Sequence, residues 1–153
     1  MQKKRSMKIF LILVFSFLLV SLSEAELGIG LGWPYLCLKY NFLNSISSEL
    51  RWSTGEGINV FSCRGYWNFK SFDRLKLFTG LEAGYINFDT VGIKGSGWEG
   101  SVFIGCEYFV VLQKFSIALD FSPTFISLSS DKYKIDGVEL ITNLAVYYYF
   151  SSR

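Results

Sequence analysis

From Phe115 to Thr124 the chain alternates without a break. Phe115, Ile117, Leu119, Phe121 and Pro123 take one parity, and Ser116, Ala118, Asp120, Ser122 and Thr124 the other. Successive strand side chains point to opposite faces, so this segment predicts a strand with one oily and one polar face. Similar alternation recurs across residues 26–153. The oily side is too rich and too aromatic for a small water-soluble core: the chain carries 15 Phe, 9 Tyr and 4 Trp. A run of such strands behind an export signal finds its best setting with the oily face against lipid.

Residues 1–25 read as that signal. Lys3, Lys4, Arg5 and Lys8 give a basic start, Ile9 to Leu22 is an apolar run broken only by Ser16 and Ser21, and Ser23-Glu24-Ala25 offers a cleavage site. The run is shorter than the roughly 20 residues of a membrane-spanning helix, so a cleaved secretory signal is expected, with the mature chain beginning near Glu26. No cysteine at the cleavage point suggests a lipid anchor. Of the 15 basic and 13 acidic residues, four and one fall in the first 25, which leaves residues 26–153 at net −1. The basic balance thus belongs to the signal, and nothing in the remainder points to nucleic acid. No later segment approaches about 20 consecutive apolar residues, which excludes a helical membrane domain.

Residues 26–153 are enough for one domain. Leu27–Trp33 and Tyr35–Phe42 flank a break at Trp33-Pro34, where the apolar parity switches from odd to even numbers. Strands are then expected at 45–53, 57–69, 75–88, 98–111, 115–128 and 138–150. Turn chemistry separates them at Thr54–Gly57, Lys70–Arg74, Asp89–Gly97, Leu112–Lys114 and Ser129–Gly137. In an antiparallel meander the two longest links, Asp89–Gly97 and Ser129–Gly137, lie at the same end, as external loops do in outer-membrane barrels. The expected fold is all-β: a single closed antiparallel up-and-down barrel, transmembrane, of eight strands. One bulged strand across Leu27–Phe42 would instead give seven.

On this reading Leu36, Leu38, Leu50, Trp52, Leu75, Leu77, Leu81, Ala83, Val102, Ile104, Tyr108, Val110, Ile117, Leu119, Phe121, Leu140, Leu144 and Val146 face outward. Aromatics near strand ends, such as Trp33, Tyr40, Trp52, Trp67, Tyr85, Trp98, Tyr108, Tyr148 and Phe150, suit a lipid–water boundary. The opposite face carries Lys39, Glu49, Arg51, Lys76, Glu82, Glu107, Asp120 and Glu139, with Asn143 and Tyr147. Arg64 joins them on a strand that alternates less cleanly. Facing lipid, each charge would cost several kcal/mol, about 2–4 for Arg or Lys near the midplane. An eight-stranded barrel has an interior that side chains just fill. The expectation is a lumen plugged by ion pairs among Lys39, Glu49, Arg51, Arg64, Lys76, Glu82, Glu107 and Asp120, with Gly80, Gly84, Gly100 and Gly105 making room for long neighbours. Cys37, Cys63 and Cys106 read as small strand residues. A disulfide between two of them would leave one free, and the sequence does not choose the pair. With no CxxC spacing and no histidine, neither a metal site nor a cofactor is expected.

The C-terminal strand, Asn143-Leu144-Ala145-Val146-Tyr147-Tyr148-Tyr149-Phe150, resembles the terminal signal read by the bacterial outer-membrane assembly machinery. Asn143, Ala145, Tyr148 and Phe150 take the polar, small and two aromatic positions. Ala145 stands where that pattern has Gly, and Ser151-Ser152-Arg153 follow the last aromatic. Across residues 27–150 the chain resembles small bacterial outer-membrane β-barrel proteins of the eight-stranded type. Gly105-Cys106-Glu107-Tyr108-Phe109 and Asp120-Phe121-Ser122-Pro123-Thr124-Phe125-Ile126 look like strand motifs of such families. The resemblance implies residence in the cell outer membrane among its lipids, dealings with the secretion translocon and barrel assembly machinery during biogenesis, and no particular activity.

Three classes of function follow. The leading one is a non-enzymatic outer-membrane barrel with a structural or surface-interaction role, its external partner unspecified. A membrane enzyme is disfavoured because histidine, the usual general base near neutral pH, is absent from the chain. A two-carboxylate glycosidase using Glu82, Glu107 or Asp120 would need an open cleft, so no catalytic residue is expected. The alternative is a soluble periplasmic lipocalin-like ligand-binding barrel, which would turn the apolar face inward.

Overall fold

The computed structural model describes residues 26–90, 93–111 and 114–150, with the side chain of residue 111 left aside. The expected signal segment, 1–25, and its cleavage point lie outside the described residues, as do 91–92, 112–113 and 151–153.

Eight strands follow one another: β1 (Glu26–Gly32), β2 (Tyr35–Leu43), β3 (Ile46–Gly55), β4 (Ile58–Ser71), β5 (Leu75–Thr90), β6 (Ile93–Val111), β7 (Phe115–Ser130) and β8 (Lys134–Tyr149). Each pairs antiparallel with the next, and β1 closes the ring on β8 from Gly28↔Tyr149 to Gly32↔Ala145. The result is a closed up-and-down barrel with no strand left over among the described residues. Leu27–Phe42 is therefore two strands rather than one bulged strand. Trp33 and Pro34, joined by a cis peptide bond, make the link, and the parity switch falls there.

One end of the barrel holds the links β1–β2, β3–β4, β5–β6 and β7–β8; we call it the hairpin end. At β3–β4, Glu56 and Gly57 both adopt positive φ, 47° and 82°. That is the backbone of a two-residue hairpin turn matched to strand twist. A Cβ at Gly57 would come within 2.3 Å of the Asp89 carbonyl oxygen, so glycine is required there twice over.

The two segments expected as long loops are mostly strand. Asp89↔Lys94 and Thr90↔Ile93 continue the β5–β6 ladder, and Ser129↔Lys134 continues β7–β8. Their Gly, Ser and Lys residues imitate turns because this part of the hairpins stands clear of the closed ring. β1 reaches only as far as Ala145 on β8, so β8 rises well past its neighbour. Water can reach both faces there, and the alternation that marks a half-buried strand fades.

The faces fall with the charges inside. Leu119 and Phe121 point outward, while Asp120 between them is buried. Leu36, Leu38, Leu50, Trp52, Leu81, Val102, Ile104, Tyr108, Val110, Ile117, Leu140, Leu144 and Val146 are likewise exposed, whereas Leu75 and Leu77, near the start of β5, are half-buried. Outward aromatics gather toward the two ends. Register links Trp52, Phe61, Tyr85 and Trp98 in one line. Phe115 and Tyr148 pair near the other end, with Phe150 beyond. Cys37 is buried in the lumen, Cys63 is exposed on the outside and Cys106 is half-buried; all three are free. Gly80, Gly84 and Gly105 sit against Phe103, Glu99 and Phe78 respectively, where a Cβ would collide. Gly100 does not fit that pattern: its nearest neighbour would be Trp98, at 3.7 Å.

Candidate functional site

Strand pairing brings the inward residues of all eight strands onto one axis, and they are mostly polar. In the layer toward the chain ends, Lys39 Nζ lies 2.7 Å from Glu107 Oε2. Ser116 and Tyr149 hydroxyls donate to Glu107 Oε1 at 2.5 and 2.6 Å. The Lys39 ammonium also sits 4.6 Å from the Tyr66 ring centre and 4.7 Å from that of Tyr147, in cation–π range. Lys76 is half-buried near the rim, 4.7 Å from the Phe109 ring centre.

In the middle layer Arg51 Nε donates to Glu49 Oε1. The other Glu49 oxygen accepts from Tyr66 at 3.0 Å and Tyr147 at 2.7 Å. The Arg51 guanidinium stacks 4.0 Å from the Tyr35 ring centre. The third layer is organised by Arg64, which has no exposed surface. Its Nη1 and Nη2 donate to the two Asp120 oxygens at 2.8 and 3.3 Å, and its Nε donates to Glu82 at 2.6 Å. Asn143 adds a bond to Asp120 Oδ1 at 2.9 Å, and Ser62 one to Glu82 at 2.5 Å.

A buried ion taken from water loses several kcal/mol of hydration. It recovers that only through good pairing and further hydrogen bonds on its remaining atoms. Glu49, Glu107 and Asp120 each meet this condition by accepting three hydrogen bonds, those of Asp120 coming from Arg64 twice and Asn143 once. The donors that complete them are hydroxyls and an amide, which charge counting alone does not reveal. An aromatic cluster of Tyr66, Phe78 and Phe103 also fills the lumen, with ring centres 4.9–6.1 Å apart. Inward Phe is hard to foresee, because the same residue type dominates the outer face. Glu139, expected on the charged face, is exposed on the rising part of β8 and takes no place in these layers.

Asn143 and Ala145 point inward and are buried, whereas Phe150 is exposed on the outside and Tyr148 is half-exposed. The four residues expected to form an assembly signal therefore divide between both faces of β8. No group of three or more acidic, Cys or His side chains close enough to hold a metal occurs among the described residues.

The rising β7–β8 hairpin carries its own small network. Ser127 donates to Asp136 at 2.5 Å, and Lys134 Nζ lies 3.4 Å from the same carboxylate. The Ser127 hydrogen bond, aided by the Lys134 charge, holds the Asp136 carboxyl below its ordinary range. A depressed folded value means this contact contributes stability above the unfolded value and loses it as pH falls through the folded one. Ser127→Ala should therefore move the Asp136 midpoint upward in a carboxyl-carbon NMR titration. An unchanged midpoint would remove the hydroxyl from this account.

Together the ring closure and the inside-out polarity define a closed, eight-stranded, all-β barrel. Its fold is similar to the N-terminal β-barrel domain of Pseudomonas aeruginosa OprF. That likeness has 13% sequence identity and a TM-score of 0.56, covering 82% of this chain and 95% of that one. A looser likeness, at 11% identity and a TM-score of 0.27, is to the KdgM porin solved with disordered oligogalacturonate; it covers 83% of this chain and 99% of that one. No protein-family model matches the chain, and no curated protein matches it.

Proposed function

We propose that this chain is an integral outer-membrane β-barrel protein with a structural or surface-interaction role, its lumen plugged by the charged network and no catalysis performed. The observation that carries this reading is the inversion of faces. Arg64, Lys39, Glu49 and Asp120 are buried, while Leu81, Val102, Ile104 and Leu144 are each more than half exposed. Soluble monomers rarely expose contiguous apolar patches beyond a few hundred Å², and here the patch encircles the barrel. Dimensions support the same reading. Phe115 and Phe125 are ten residues apart on the outer side of β7, about 33 Å of strand. With the usual tilt of about 35–45° this gives a band about 25 Å tall, the apolar height of outer-membrane barrels.

A lipocalin-like carrier needs the reverse arrangement, with apolar walls around its ligand. On the membrane reading, residues 1–25 direct export, lipids surround the barrel, and Asn143, Ala145, Tyr148 and Phe150 are presented to the assembly machinery. The hairpins at 89–97 and 129–137 stand outside the cell as the surface for an external partner. The deciding experiment is cell fractionation followed by electrophoresis with and without boiling. The expected result is a membrane-fraction protein that resists carbonate extraction and migrates differently once boiled. Recovery in the aqueous periplasmic extract, with one mobility in both conditions, would refute the reading.

A further inference from the structure

Beyond the Arg64 layer, toward the hairpin end, the lumen widens into a cavity of about 170 Å³ whose lining includes Tyr35, Arg51, Glu82, Glu99, Thr124 and Asn143. Most of its charges are already matched. Arg51 is held by Glu49, and Glu82 accepts from Ser62 and Arg64. Glu99 differs. Its side chain leans into the space beside Gly84, where a Cβ would come within 2.6 Å of Oε1. Its carboxylate takes no part in the hydrogen bonds and close ion pairs of the described residues, although the Arg64 and Arg51 charges attract it and Glu82 repels it. The two upper layers thus set the carboxylates of Glu49, Glu82, Glu99 and Asp120 against the guanidiniums of Arg51 and Arg64, which leaves acid in excess.

A second observation points the same way. Tyr35 lines this cavity with only 6% of its surface exposed, and its hydroxyl has no hydrogen-bond partner among the described residues. The buried hydroxyl of Ser101, on the residue paired with both Glu82 and Thr124, is likewise unpartnered. Buried polar atoms without partners are few in native proteins and call for a reason. An anion would find both guanidiniums engaged. A divalent cation would find one free carboxylate, too few for its usual oxygen shell. An ammonium group has three donors and no acceptor, which suits one free carboxylate among hydroxyl oxygens. Val60, Ile141 and Pro34 complete the lining and offer apolar contact to a short alkyl stem.

We propose that this vestibule is a binding site for a primary ammonium ion, with Glu99 as the counter-charge and the Tyr35 and Thr124 hydroxyls as acceptors. The site depends on the closed barrel and its open mouth; it would stand even if the membrane reading failed.

The test titrates propylammonium chloride into the full chain folded in detergent micelles, followed by amide NMR. Saturable shifts confined to the surroundings of Tyr35, Glu99 and Thr124 are expected, with none from sodium propionate. Glu99→Gln, checked for folding by its boiled and unboiled mobility, should bind at least about tenfold more weakly, the loss expected for one charged hydrogen bond. Tyr35→Phe should weaken binding less. Equal binding of propionate, undiminished affinity in Glu99→Gln, or shifts located on the outer face would each overturn the proposal. If Glu99→Gln fails to fold, the wild-type map and the propionate comparison still decide it.

Discussion

Arg64→Met should destabilise the barrel by about 3–5 kcal/mol, the cost of removing one partner from a buried ion pair. The size follows from what remains. Arg64 supplies three charged hydrogen bonds, two to Asp120 and one to Glu82. Without it Asp120 keeps the Asn143 bond and an Arg51 nitrogen at 3.9 Å, while Glu82 keeps Ser62. Two carboxylates then face a narrow interior with too few donors. The methionine restores most of the volume and none of the charge, so packing contributes little to the loss. Arg64→Lys should fall between the two, because a single ammonium cannot present a planar fork to one carboxylate and a side bond to another. The informative comparison adds Asp120→Asn and Glu82→Gln to Arg64→Met. If stranded charge is the cause, the triple variant should be more stable than the single one, a non-additivity expected among neighbours in one network. Urea unfolding in micelles, read from the fraction of heat-modifiable protein, measures the three variants against the unchanged chain. A loss below about 1 kcal/mol for Arg64→Met, typical of an ordinary substitution, would mean the network does not hold the lumen.

The alternation in β7 made the two faces readable, and the outward set agrees with it residue by residue from Phe115 to Phe121. Strand number was less legible at Trp33-Pro34, because a two-residue link looks like a bulge when only parity is available. The strand tips at 89–97 and 129–137 were hidden for a different reason: once both faces meet water, no burial constraint imposes a period of two. Partners inside the lumen could not be read at all. Lys39 and Glu107 are 68 positions apart and Arg64 and Asp120 are 56 apart, brought together by ring closure. Inward parity identified Glu49 and Glu107 as members of a charged set. Parity also turned Tyr147 and Ser116 toward the same face, but it did not show that they, together with Tyr66 and Tyr149, would complete those carboxylates. Glu99 also has the parity of the lumen, yet it stands at the very start of the strand expected over 98–111, beside the Gly- and Ser-rich turn expected at 89–97, and lies outside the expected charged set.

Leu119→Arg should cost about 2–4 kcal/mol when the barrel is folded into lipid bilayers, the depth-dependent cost of a cation on the lipid face near the midplane. Leu119 lies between Phe115 and Phe125 on the outer side of β7 and pairs with Leu144 across β8 and Cys106 across β6. That position is close to the middle of the apolar band. In water an outward Leu replaced by Arg changes stability by no more than about 0.5 kcal/mol, so the substitution reports the surrounding medium. Ser129→Arg supplies the control. Ser129 is exposed on the part of β7 that rises past the closed ring, and the same cation there should be nearly neutral. Folding equilibria measured in vesicles for both variants, against the unchanged chain, separate the possibilities. A large loss at Leu119 with none at Ser129 requires lipid around the middle of the barrel and water around its hairpins. Near-zero losses at both positions would require water around the whole barrel, and the outward Leu, Ile and Val residues would then need a protein partner to cover them.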